Sequence, residues 1–101
     1  MRIIVLFNLK SGVNAQEYEA WARADDIPTA NALPSVHEFT VHRATGIFGS
    51  DAKSPYDYIE VIDINGMDEF VGDVSNPEFQ AKVAPFQAFA DNPIFILTKD
   101  I

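Results

Sequence analysis

The period of the apolar residues changes several times along the chain, and each change marks an element. Arg2–Leu9 (RIIVLFNL) is a short run rich in β-branched and aromatic residues, the pattern of a strand. Lys10-Ser11-Gly12 breaks it. Asn14, with Glu17 three residues on, starts a helix from Ala15 to about Asp25. Tyr18, Trp21 and Ala22 form its apolar stripe. Pro28 ends or bends this helix, because Ile27 before it is pushed away from helical geometry. Val36 to about Thr45 reads as the second strand, Gly46–Ser54 as a turn region and Tyr56–Ile64 as the third strand. Asn65-Gly66 turns the chain into a short helix, Met67–Val74. Asn76-Pro77-Glu78 combines a cap, a proline at the first helical position and an acid in the first turn. Phe79, Val83, Phe86 and Ala90 continue at helical spacing, and Pro85 should kink or split that run. Asn92-Pro93 stops it, and Ile94–Thr98 is the last strand.

Strand, helix, strand, strand, helix, strand is the ferredoxin-like βαββαβ order. It predicts one α+β domain over residues 1–101, a four-stranded antiparallel sheet with helices on one face. Parity then matters, because strand side chains alternate between faces. Ile3, Val5, Phe7 and Leu9 point one way, Ile4 and Leu6 the other. Ile94 and Ile96 likewise oppose Phe95 and Leu97. Both faces of these strands want cover, and the helices supply only one. A second copy of the chain is the simplest cover, so a homodimer is expected; the other reading is a tolerated exposed patch.

Strands two and three, paired as a hairpin, set Phe39 against Val61, Val41 against Ile59, Arg43 against Asp57 and His37 against Asp63. The opposite face then carries Glu38, Thr40, His42, Tyr58, Glu60 and Ile62. On it His42 falls beside Tyr58, and Glu60 beside Thr40. An imidazole near a carboxylate can serve as general acid or base, and a phenol can donate to a developing oxyanion. The candidate catalytic set is therefore His42, Glu60 and Tyr58. Trp21 and Phe7 are candidate apolar walls, and Asn8 and Thr40 candidate substrate-binding groups. Each has a plainer reading: a solvated sheet face or interface for the polar groups, core for the aromatic ones, local backbone bonding for Asn8. Asp25 and Asp26 oppose the helix dipole; they cap the following turn or are held for a ligand, and the former is the simpler reading.

Composition removes several classes. The 101 residues carry a formal net charge of −8, with 7 basic against 15 acidic residues. Phosphate repulsion makes nucleic acid an unsuitable partner, and an anionic membrane surface equally so. With no cysteine there is no disulfide, thiolate nucleophile or Cys-ligated zinc. His37 and His42 fall on opposite faces of one strand, so no metal site is expected. No phosphate-cradling glycine loop or dinucleotide fingerprint is present, and no cofactor is expected. The longest apolar run, Ile3–Phe7, is far short of a membrane span, and no signal-peptide pattern opens the chain. A cytoplasmic location is expected.

The opening MRIIVLFNLKSGVNAQEYEAWARADDIPTANALPSV, the central SPYDYIEVIDI and the ending FQAFADNPIFIL resemble the RedY-like or HapK-like proteins, across the whole chain. The resemblance implies a homodimeric α/β barrel, in which two ferredoxin-like sheets face each other. It also implies a role near small aromatic heterocycles in secondary metabolism, since some of those proteins are associated with prodigiosin-type or bisindole pigments. It transfers no catalytic residue. Relatives in the wider barrel superfamily include cofactor-free monooxygenases, lyases, cyclases and proteins of no known activity. Two functions are expected from this. One is a cofactor-independent enzyme, of cyclase or oxygenase type, acting on a small aromatic pyrrole- or indole-like metabolite. The other is a non-catalytic small-molecule binding or assembly protein of a biosynthetic pathway.

Overall fold

The computed structural model describes residues 1–101. The strands are β1 (Arg2–Leu9), β2 (Val36–Arg43), β3 (Tyr58–Ile64) and β4 (Ala90–Leu97). The helices are α1 (Ala15–Trp21), α2 (Ile27–Asn31), α3 (Met67–Val74), α4 (Pro77–Val83) and α5 (Phe86–Phe89). All strand pairs are antiparallel, in the order β2-β3-β1-β4, which is the ferredoxin-like sheet with β1 and β3 at its centre.

Both capping signals act as expected. The Asn14 carboxamide oxygen accepts from the Gln16 and Glu17 amides, and that of Asn76 from the Glu78 amide. Pro85 does split the second helical run, into α4 and α5. Two expectations fail nearby. Helix does not end or turn away at Pro28: Ile27 keeps helical angles, and helix continues to Asn31. Between α1 and α2 the chain makes a π-helical turn, Ala22–Asp26, in which the Ile27 amide reaches back five residues to the Ala22 carbonyl. Pro28 then sits at the start of α2, where its missing N–H costs least. At the other end, Ala90 is strand, and β4 runs through Asn92-Pro93. The ladder takes a bulge there, with Asn92 at φ 45°. β4 is an edge strand, so a residue without an N–H is tolerated.

The register of β2 on β3 is the main correction. Val36 pairs with Ile64 as the simple hairpin predicts, but Glu38 already pairs with Asp63. β2 thus advances two residues against one, and His37 is the extra residue of a bulge. From there every pair is displaced: Phe39 lies opposite Ile62, Val41 opposite Glu60, Arg43 opposite Tyr58. A one-residue slip exchanges faces. Tyr58, Glu60, Ile62 and Ile64 therefore share the helix-covered face with Phe39, while Thr40 and His42 share the open face with Ile59 and Val61.

The core lies between β1, β3 and α1. Ile3, Val5, Phe7, Tyr18, Ala22, Tyr58 and Ile64 are fully buried there. The Phe7 ring meets Tyr18 and Phe86 edge-on and lies parallel to Tyr58 at 5.5 Å between centroids. By contrast α3, α4 and α5 bury no residue completely. Their apolar side chains reach toward the sheet without closing on it, and the gap left between them is a cleft. No helix is long and apolar enough to cross a membrane.

Candidate active site

The cleft has a volume of about 540 Å³, within the range of small-molecule sites. Its floor is the sheet, with Ile3, Val36, Phe39, Glu60, Ile62 and Phe95. Its walls come from the π-helical turn and α2 on one side and α3–α5 on the other. Thirteen of its seventeen lining residues are hydrophobic, and the four that are not are Asp26, Glu60, Gln80 and Gln87.

The two carboxyls are the unusual part. Asp26 is 6% exposed and Glu60 4%. Glu60 stands on the central strand β3, and the π-helical turn delivers Asp26 from the helix above it. The Tyr18 hydroxyl donates to Glu60 Oε2 at 3.2 Å. The Glu60 carboxyl has no other hydrogen bond within the protein, and the Asp26 carboxyl has none. No ion pair of the chain involves either of them. Burial without a counter-charge favours the neutral acid. Burial, then repulsion from Asp26, pushes the Glu60 carboxyl up to about 8, against the bond from Tyr18. Burial pushes Asp26 up to about 6. The Tyr18 phenol is raised too, by burial and by the Glu60 charge, so it stays a donor at neutral pH. Both carboxyls are thus held toward the neutral acid, Glu60 more strongly than Asp26, the kind of separation that lets two carboxyls serve as acid and base.

A second polar cluster lies outside this cleft. Arg43 grips Glu19 through Nε to Oε2 at 2.7 Å and NH2 to Oε1 at 2.8 Å. The Tyr58 hydroxyl donates to Glu19 Oε2 at 2.6 Å, and Arg23 adds a bond to Oε1. The Arg43 and Tyr58 bonds hold the Glu19 carboxyl down at about 2. Its lowered value means that its contribution to stability is present above pH 4.5 and is lost as pH falls toward 2. Glu19→Ala leaves the buried Tyr58 hydroxyl unpaired and is expected to lower unfolding free energy by about 1–3 kcal/mol, measured by urea denaturation at pH 7.

The residues singled out from sequence are distributed across these features. Glu60 lies in the cleft. Tyr58 is on the same face but is engaged by Glu19. His42 and Thr40 bond one another at 2.9 Å on the open face, so the His42–Glu60–Tyr58 arrangement is not formed within one subunit. Phe7 is core, and Trp21 packs beside Tyr18 and Phe89; neither lines the cleft. Asn8 bonds backbone that is distant in sequence, not local: it donates to the Pro55 carbonyl and accepts from the Asp57 amide, tying the end of β1 to the segment before β3. The sequence pattern assigns neither Asp26 nor the Tyr18 hydroxyl to a catalytic set. The available signal is their spacing: Tyr18, Ala22, Asp26 and Ala30 recur every four residues, and all four are buried.

Among proteins of known relation, the family model for the REDY-like protein HapK matches residues 1–101. The chain belongs to the HapK (REDY-like) family. The crystal structure of HapK from Hahella chejuensis is similar at 30% identity and a TM-score of 0.74, over 98% of this chain and 93% of that one. A dimeric ferredoxin-like protein of unknown function from Thermobifida fusca is 23% identical at a TM-score of 0.72, over 94% and 85% of the two chains. SnoaB of Streptomyces nogalater, a cofactor-independent oxygenase, is 14% identical at a TM-score of 0.68, over 99% and 93%. These last two share the fold. No curated protein matches the chain. Within this HapK-family fold, the two buried carboxyls sit where sheet and helices part.

Proposed function

We propose that this HapK-family protein is a cofactor-independent enzyme that binds a small aromatic, pyrrole- or indole-like metabolite in the cleft and transfers protons to and from it. The observation that carries this reading is the pair of buried, unpaired carboxyls whose affinities for protons are pushed apart inside an apolar cavity. Asp26, ionised at pH 7, takes a proton from the ligand. Glu60, protonated, donates one to the atom where negative charge develops. Tyr18 orients the Glu60 carboxyl. Such transfers suit a cyclisation, or an oxygenation in which the activated substrate itself reacts with oxygen. The likeness in fold to SnoaB is consistent with chemistry that needs no cofactor.

The chain works as a homodimer in this reading. Ile4, Leu6, Ile59, Val61, Ile94 and Ile96 form an apolar open sheet face, and fold neighbours are described as dimeric. His42 belongs to that face, not to the reaction. His42→Ala is expected to keep turnover within roughly twofold, because no proton transfer passes through it.

The deciding experiment starts with native mass spectrometry of protein purified gently from its own cells. A mass at twice the 11.2 kDa chain with a retained aromatic metabolite is expected. That metabolite is then incubated with wild type and with Glu60→Gln. Conversion by the wild type alone supports the reading. Equal conversion by both removes Glu60 from the chemistry. Binding without conversion leaves a binding protein.

A further inference from the structure

The two buried carboxyls lack a partner that the chain has the means to provide elsewhere. Arg23 and Arg43 both gather on Glu19, outside the cleft. Lys82, the one cation of α4, is exposed and does not line the cleft. No Lys, Arg or His lines it at all. The Tyr18 hydroxyl bonds Glu60, and the only other polar residues lining the cleft are the neutral Gln80 and Gln87; every other lining group is apolar. A buried carboxylate without a counter-charge is unfavourable, and whatever supplies that charge binds tightly. Five phenylalanines, Phe39, Phe70, Phe79, Phe86 and Phe95, complete the lining. Aromatic faces attract cations and stack on other rings.

We infer that the ligand of this cleft is a cationic aromatic amine or imine, whose charged nitrogen docks between Asp26 and Glu60 while its ring lies among the phenylalanines. The inference rests on the cleft being the binding site proposed above, and it narrows the substrate class. Anionic aromatics, including ring carboxylates, are excluded by the same two residues. The ligand's charge is the missing member of an ion pair with Asp26, so docking favours the ionised form of Asp26 while Glu60 keeps the proton it donates in the proposed reaction. Affinity for the cation therefore rises as pH rises.

The test is calorimetric binding of three probes of like shape to the wild-type dimer: tryptamine, indole-3-acetate and 3-methylindole. Tryptamine is expected to bind at least roughly tenfold more tightly than either of the others, and more tightly at pH 8 than at pH 6. Asp26→Asn should remove most of that preference and Glu60→Gln little of it, while 3-methylindole binds to both as before. Equal affinity for tryptamine and 3-methylindole overturns the cation requirement and leaves proton transfer in the cleft standing. Preference for indole-3-acetate overturns the inference as well. So does absence of binding by all three at millimolar concentration, in which case the Glu60→Gln turnover comparison still judges the proposed chemistry.

Discussion

Glu60→Gln is expected to lose turnover by roughly 10²–10⁴-fold and yet to give a more stable protein at neutral and alkaline pH. Both effects come from one cause. In the unfolded chain this carboxyl ionises near 4.5, and in the folded chain near 8. Between those values the folded state holds a proton that the unfolded state has released, so stability falls as pH rises across that window. Above it the charge is forced into the cleft, and the difference amounts to on the order of 3–5 kcal/mol. Glutamine keeps the shape, accepts the Tyr18 bond and carries no charge, so its stability curve should be flatter from pH 5 to 8. Asp26, raised from 3.8 to about 6, adds a smaller slope of the same sign over the lower part of the range. Chemical denaturation at several pH values checks this. A variant no more stable than wild type at pH 8 argues against a strained carboxyl. The wild-type rate profile should be a bell with limbs near 6 and 8, which belong to the pair as a unit. An alkaline limb that survives Glu60→Gln removes Glu60 as the acid.

Leu6→Asp is expected to convert the proposed homodimer to a folded monomer. Leu6 lies half-buried on the open face of the central strand β1, opposite Ile59 on β3 and Ile94 on β4. A dimer two-fold would bring two copies of the face together. Each leucine buried there contributes on the order of 2 kcal/mol, and each aspartate adds a desolvated charge, so affinity should drop at least about a hundredfold. The helix-covered core, with Ile3, Val5 and Phe7 on the other side of the strand, is untouched. Sedimentation velocity reads the mass, and circular dichroism reads the fold. A variant that still sediments as a dimer places the interface elsewhere.

The element order was legible because the apolar period changes where elements change, and Asn14, Asn76 and Pro85 are unambiguous local signals. The parity of β1 and of Ile94–Leu97 was legible too, because both are apolar runs that no bulge interrupts. The pairing of β2 with β3 was not. A bulge at His37 requires only one extra residue, and nothing in the side chain of His37 announces it. The register without a bulge even gives plausible pairs, with Arg43 opposite Asp57 and His37 opposite Asp63. That single residue moved Tyr58 and Glu60 to the helix face and separated them from His42. Asp26 was hidden by a different irregularity. An ordinary helix advances about 40° too far for every four residues, so a four-spaced row spirals off its face. The wide turn at Ala22–Asp26 takes up that drift and keeps Tyr18, Ala22, Asp26 and Ala30 facing inward.

That turn makes the site sensitive to a kind of change that ignores side-chain identity. Closing Ala22–Asp26 to ordinary helix with every residue kept would rotate the downstream segment by about 100°, carrying the acid at the end of the turn away from the cleft. The second carboxyl therefore depends on the width of this one hydrogen-bonded turn as well as on the residue at position 26. Comparing relatives by the residues they share, and not by the bonding of this turn, would miss a difference that bears directly on their chemistry.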